Sequence, residues 1–278
     1  MSTGTLYVVA TPLGNLEDLS RRAERVLAEV AYVAAEDTRR GRELLSWLGI
    51  KKPLLSYYQP REESAIPRIL ELLRAGSDVA LITDGGTPAI SDPGYRLARA
   101  ALEAGIRVSP IPGPSALAAA LSAAGLPTDR VTFAGFLPPR SKARREALAE
   151  LAGRRDTLVF YESPRRVVDF LRDALAALGD REAVVFRELT KVFEEQLRGR
   201  LSELAATLSA RPEVKGEVTV LIGGAEEQEK LTEAETERLL AEALAAGKPL
   251  REAAAEIARL AGRPRKDIYA LGLKMNKA

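Results

Sequence analysis

A chain of 278 residues, 46% hydrophobic and 29% charged, has the composition of a folded protein with more than one lobe, well away from the regime of disorder. The absence of Cys and His excludes disulfides, a thiolate nucleophile and the commonest metal ligands, so no metal centre is expected and the chemistry must use other groups. The formal charge of +2 names no partner, and the lack of both a long apolar run and a basic, apolar leader argues against a membrane span or signal peptide, which makes the cytoplasm the expected compartment.

Short apolar runs rich in β-branched residues cover Leu6 to Ala10, Val30 to Ala34, Val79 to Thr83 and Val108 to Ile111. Others cover Val131 to Ala134, Leu158 to Tyr161, Ala183 to Arg187 and Val218 to Ile222. Helical stripes lie between them. Ile66, Ile69, Leu70 and Leu73 follow a cap candidate at Ser64, and Val167, Val168, Leu171 and Leu175 follow Ser163-Pro164. This alternation predicts an α/β fold. Two prolines around a glycine in Ile111-Pro112-Gly113-Pro114-Ser115 fix the chain direction between two halves, which gives expected domains of 1–112, 113–224 and 225–278.

The last of these is predicted to be a small helical domain. An acidic stretch from Ala225 to Lys230 leads into helical periodicity alone, carried by Leu239, Leu240 and Leu244 and then by Ala253, Ala254, Ile257, Leu260 and Ala261. Basic turns at Ala246-Gly247-Lys248-Pro249 and Gly262-Arg263-Pro264-Arg265 suggest a helix-turn-helix arrangement. From Gly247 to Ala278 eight cations stand against three acids, a local charge of +5, and Arg140, Lys142, Arg144 and Arg145 form a second basic cluster. Each reads either as solvated surface or as a face for a polyanion.

The strand ends carry the candidate chemistry. Ala10-Thr11-Pro12-Leu13-Gly14-Asn15 lets backbone approach a ligand, although a plain turn has the same composition. Glu36-Asp37-Thr38-Arg39-Arg40 places two acids beside two cations. The run from Asp84 to Gly94, DGGTPAISDPG, is denser in glycine, proline and acid than a connection requires, and its place after a strand is where open α/β sheets bind ligands. Its spacing matches neither a dinucleotide fingerprint nor a Walker loop. Phe160-Tyr161-Glu162-Ser163-Pro164-Arg165-Arg166 adds an aromatic, an acid and two cations at another strand-to-helix junction, where Ser163 is a cap candidate and salt bridging is the plain alternative.

Taken in order, ATPLGNLEDLS, AEDTRR, LITDGGTPAISDPG, PIPGPSALAAALSAAGLP, FAGFLPPR, FYESPRR and RELTKVFEEQLRG resemble the tetrapyrrole methylase family, and more closely its ribosomal branch. The precorrin-type members carry GxGPGD and GGDP where this chain has ATPLGN and GGTP, which favours RNA over a porphyrinoid.

That resemblance implies two α/β domains with a cleft between them, S-adenosylmethionine in the cleft, and a homodimer. It implies 2'-O-methylation of a cytidine in 16S rRNA of the small ribosomal subunit, in the decoding region. A tetrapyrrole or other small-molecule methylase and a non-catalytic RNA-binding factor are the alternatives. The implied cofactor residues are Thr11, Pro12, Asp84, Gly85, Gly86, Thr87, Ile90, Ser115, Ala116, Tyr161, Glu162, Leu189, Val218 and Thr219. A ribose hydroxyl is a poor nucleophile until its proton leaves. Without His, the candidates to assist are Asp37, Glu36 and Lys191, with Asp84 and Glu162 beside them. Arg39, Arg40, Arg140, Lys142, Arg165, Arg166, Arg263, Arg265 and Lys266 are the candidate phosphate contacts.

Overall fold

The computed structural model describes residues 3–225 and 232–275, the side chain of Arg259 excepted. Most of the acidic stretch from Ala225 to Lys230, and Lys277, lie outside the described residues. The chain divides into two compact units, Met1–Ala225 and Glu226–Ala278.

The first unit holds two five-stranded sheets. The first sheet contains β1 (Thr5–Val9), β2 (Tyr32–Ala35), β3 (Leu54–Ser56), β4 (Val79–Ile82) and β5 (Arg107–Ile111), ordered β3-β2-β4-β1-β5 and parallel throughout. A parallel sheet must be covered on both faces. Helices α1 (Arg21–Glu29) and α2 (Thr38–Trp47) bury Ala23, Val26, Leu27, Leu44 and Leu45 in one layer. Helices α3 (Glu62–Arg74) and α4 (Tyr95–Glu103) bury Ile69, Leu73, Leu97 and Ala101 in the other.

All four residues of β4 are buried, as a central strand between two helical layers requires. From β1 the chain leaves toward β2, and from β4 it leaves across β1 to β5. These adjacent strands therefore open a crevice at their carboxyl ends, a topological switch point.

The second sheet is mixed. It contains β6 (Val131–Phe136), β7 (Thr157–Glu162), β8 (Glu182–Arg187), β9 (Glu195–Arg200) and β10 (Val218–Ile222), ordered β6-β7-β10-β8-β9. Only β6 and β7 run parallel. Helix α5 (Ala116–Ala124) covers one face through Ala120 and Ala124. Helices α6 (Ser141–Glu150), α7 (Val167–Leu178) and α8 (Leu201–Ser209) cover the other, around Leu148, Phe170, Leu171 and Leu204.

The second unit is three helices, α9 (Glu233–Ala245), α10 (Leu250–Ala261) and α11 (Arg265–Met275), around Leu240, Ala253, Ile257 and Ile268. Thr232 and Glu235 close a capping box at the start of α9. A Cβ on Gly272 would come within 2.3 Å of Leu250, so glycine sets the approach of α11 to α10.

The eight apolar runs all contain strands, and the sequence reading missed β3 and β9. β3 has three residues and β9 is a charged edge strand whose burial only alternates between partial and none. Two caps differ from expectation. α3 starts at Glu62, and the Ser64 hydroxyl, already inside the helix, donates to the Arg61 carbonyl. α7 starts at Val167 after an Arg166 cap position, and Ser163 contributes its carbonyl rather than its hydroxyl, accepting from Arg166 N and Val167 N.

Candidate active site

A cavity of about 340 Å³ lies within the first unit, where the carboxyl ends of β1 and β4 meet the end of β7 and the start of β10. That is within the roughly 300–1,000 Å³ typical of small-molecule sites. The first sheet contributes Leu13, Thr83, Asp84, Gly85, Gly86, Thr87, Ile90, Ser91 and Asp92, and the joining segment adds Ser115 and Ala116. The second sheet contributes Phe136, Tyr161, Glu162, Ser163, Pro164, Gly216, Glu217, Val218 and Thr219.

Backbone pairing brings these loops together. Thr11 and Gly86 exchange two backbone hydrogen bonds of 2.8 and 2.9 Å, and the Thr11 hydroxyl donates to the Thr83 carbonyl at 3.0 Å. Gly86 takes φ +94°, and a Cβ on Gly85 would sit 3.3 Å from the Pro12 carbonyl oxygen. Thr87 ties the loop to the second half by donating to the Pro114 carbonyl at 3.1 Å.

The far end of the loop is pinned from below. Buried Glu62 accepts from the Tyr57 hydroxyl at 2.9 Å and from Gly94 N at 3.1 Å. Between these anchors Ala89 and Ser91 adopt φ of 69° and 64°, sparsely populated for residues with a side chain.

On the opposite wall the Tyr161 hydroxyl accepts from Leu117 N at 3.0 Å, and its ring meets Phe133 and Phe136 edge-on. Burial raises the Tyr161 pKa above the usual phenol value. Glu162, with a side chain 0% exposed, accepts from Ser163 N at 2.7 Å and pairs with Arg166 at 2.8 Å. Four carboxylates, Asp84, Asp92, Glu162 and Glu217, and no Lys or Arg face the cavity among the described residues. Such walls favour a cationic ligand over a phosphorylated one.

The sequence matches the model of the tetrapyrrole (corrin/porphyrin) methylases over residues 5–205. The chain belongs to the tetrapyrrole methylase family. A second match, to the RsmI C-terminal HTH domain, covers residues 231–276. The ribosomal RNA small subunit methyltransferase I of Xylella fastidiosa is 47% identical over 97% of this chain and 99% of its own. Its namesake in Pseudomonas aeruginosa is 46% identical over 99% and 98%. The structure of uroporphyrin-III C-methyl transferase from Thermus thermophilus complexed with S-adenyl homocysteine aligns with a TM-score of 0.52 at 23% identity, covering 78% of this chain and 97% of that one.

As a tetrapyrrole methylase the chain is a methyltransferase with S-adenosylmethionine as donor. The cavity suits that molecule, because the acidic walls would favour its sulfonium and ammonium charges, and the Gly85 and Gly86 backbone leaves room that side chains would fill.

Eleven of the fourteen cofactor candidates line the cavity: Asp84, Gly85, Gly86, Thr87, Ile90, Ser115, Ala116, Tyr161, Glu162, Val218 and Thr219. Three lie elsewhere. Thr11 is buried and holds the loop through its hydrogen bonds, Pro12 lines a neighbouring hollow with Arg40 and Asp84, and Leu189 packs against the core beneath α5.

Asp37, Glu36 and Lys191 are not on the cavity wall. Asp37 caps α2, and the Arg39 hydrogen bond holds its carboxyl at about 2, so it is a poor proton acceptor at neutral pH. Glu36 accepts from the Thr83 hydroxyl at 2.7 Å. Lys191 binds Glu188 at 2.8 Å and Glu217 at 3.2 Å. Burial pulls its ammonium pKa down, but the two carboxylates raise it above the usual value, so it stays charged at neutral pH.

Arg39 and Arg40 are exposed and pair with Asp37 and Asp84, and Arg140, Lys142 and Arg165 are exposed. Arg166 is committed to Glu162 and to the Leu137 carbonyl, which corrects its place among surface cations. In the second unit Arg263 is half-buried, Arg265 donates to the Arg251 carbonyl, and Lys266 is exposed.

Wall residues absent from the sequence candidates include Leu13, Thr83, Ser91, Asp92, Phe136, Ser163, Pro164, Gly216 and Glu217. Ser91, Asp92, Ser163 and Pro164 stood inside motifs already singled out. Gly216 and Glu217 reach the cavity because β10 runs antiparallel to β7, opposing Val218 to Glu162. No local pattern announces that pairing.

Proposed function

We propose that this chain methylates the 2'-hydroxyl of a cytidine in 16S rRNA, in the decoding region of the small ribosomal subunit. The observation that carries the reading is near full-length identity of 43–47% to proteins named ribosomal RNA small subunit methyltransferase I, across both the methylase part and the helix-turn-helix part. The electrostatics agree, since acidic walls suit the cationic donor while Arg140, Lys142 and Arg165 are exposed; these, with the exposed but carboxylate-paired Arg39 and Arg40, are proposed as phosphate contacts. Arg263, Arg265 and Lys266 are proposed as further RNA contacts.

Bound S-adenosylmethionine supplies an electrophilic methyl carbon on a positively charged sulfur. The chain aligns a hydroxyl with that carbon and keeps water out, so its contribution is largely positional. Gly85 and Gly86 offer backbone contact, and Tyr161, fixed by Leu117 N and two aromatic rings, forms a rigid wall.

The first unit is proposed to count as two domains, 1–112 and 113–224, with the helical domain over 225–278. The protein is proposed to act as a homodimer in the cytoplasm. Among the described residues no helix is long and apolar enough to cross a membrane.

Incubation of the protein with tritiated S-adenosylmethionine and hypomethylated small subunits, followed by mapping of the label, tests the function. Label on a cytidine 2'-oxygen is expected. Cofactor binding without RNA label overturns the RNA reading and returns the search to small molecules.

A further inference from the structure

Three of the four cavity carboxylates are already paired with a cation. Glu162 is held by Arg166 and Ser163 N, Glu217 by Lys191, and Asp84 by Arg40 at 3.6 Å and by Asp37 N at 3.1 Å. Asp92 has no ion pair among the described residues. It is half-buried in the wall, on a loop that its neighbours hold in place. Ser91, at φ 64°, seats its hydroxyl where a Cβ on Gly135 would come within 2.9 Å, and Gly94 is bound to Glu62.

We propose that Asp92 is the general base that accepts the proton of the ribose hydroxyl undergoing methylation, an inference that rests on the function proposed above. The hydroxyl proton passes to an Asp92 carboxylate oxygen as the ribose oxygen forms its bond to the methyl carbon. The carbon–sulfur bond breaks, its electron pair stays on sulfur, and a neutral thioether leaves. Asp92 then returns the proton to water.

The surroundings prepare the carboxyl for this role. Burial raises its pKa to about 6, the Thr83 hydroxyl pulls it partly back, and the charges of Glu36, Asp84 and Glu217 add to the rise. These groups approach from the ends of β2 and β4 and from the segment ahead of β10, while Tyr161 faces it from β7. An acceptor that titrates near the working pH combines an ionised resting form with useful basicity. Asp37 lies too low for this and Lys191 is protonated.

The test compares the full-length wild type with Asp92→Asn and Asp92→Glu. Single-turnover methylation of hypomethylated subunits is measured across pH, beside calorimetric binding of S-adenosylhomocysteine and a carbon-13 NMR titration of the protein's carboxyl groups. The wild-type rate and the Asp92 resonance are expected to share a midpoint near 6. Asn should slow transfer about 10²–10⁴-fold with unchanged S-adenosylhomocysteine affinity, and Glu should restore part of the rate.

A wild-type rate in Asp92→Asn overturns the proposal. So does a loss of S-adenosylhomocysteine affinity matching the loss of rate, which would make Asp92 a cofactor-holding residue. Failure of the wild type itself to label RNA removes the underlying function and this proposal with it, and the wild-type reaction alone reveals that case.

Discussion

Asp92 and Glu162 are carboxylates on opposite walls of one cavity, and the fold disposes of their charges in opposite ways. Glu162 lies at the end of β7, fully buried, and an arginine four residues along its own chain neutralises it. Asp92 lies in the loop after β4, half-buried, with acids rather than a cation around it. The first arrangement spends its charge on holding a strand-to-helix junction. The second leaves a carboxylate strained in charge on a loop strained in backbone, and such unrelieved groups mark reactive positions.

The sharpest break of the contrast is Arg166→Ala, which leaves Glu162 buried without its cation. A loss of about 3–5 kcal/mol in urea unfolding is expected. Combination with Glu162→Gln should recover part of it, and an equal loss in the double variant would mean that Arg166 acts through its Leu137 contact instead.

Gly94→Ala attacks the other wall. Gly94 has φ +149°, and a Cβ would lie 3.1 Å from Ala89 N, so a cost of about 1–3 kcal/mol is expected together with weaker S-adenosylhomocysteine binding. Gly153→Ala, at a glycine whose Cβ would meet nothing within 4 Å, is the control and should change neither measurement.

The smallest effect is a gain. A carboxyl raised from 3.8 to about 6 in the folded state binds its proton more tightly there than when unfolded. Its ionisation therefore weakens the fold as pH rises from 3.8 to about 6, and the full cost persists above that range. Asp92→Asn should consequently stabilise the protein at neutral pH by roughly 1 kcal/mol, a figure discounted for the solvent that still reaches the group. The gain should vanish below the unfolded-state value, as thermal melts across pH will reveal. A variant slower in catalysis yet more stable is the signature of a functional group kept at a cost to the fold.

Legibility followed the range of the interactions. The glycine-rich loop after β4 was visible because its density of Gly, Pro and Asp exceeds what a turn needs, and Asp84, Gly85, Gly86 and Thr87 do line the cavity. Thr11 and Pro12 looked equivalent to these in sequence, yet Thr11 holds that loop from behind through its bridge to Gly86 and Pro12 lines the neighbouring hollow. Arg165 and Arg166 are adjacent and chemically identical. One is exposed and the other is bound to Glu162, because the turn ahead of α7 points them in different directions.

Hydrophobic period and turn chemistry, which act over a few residues, determined the alternation of strand and helix, the helical C-terminal unit and the places where ligand loops begin. The antiparallel insertion of β10 beside β7, the presence of Glu217 on the wall, and the division of the carboxylates into paired and unpaired were decided by contacts between distant segments. The charge state of a side chain depends on what folding brings beside it, so the sequence could name Asp84 and Glu162 as acids of this site, while only the tertiary structure added Glu217 and separated Asp92 from the rest.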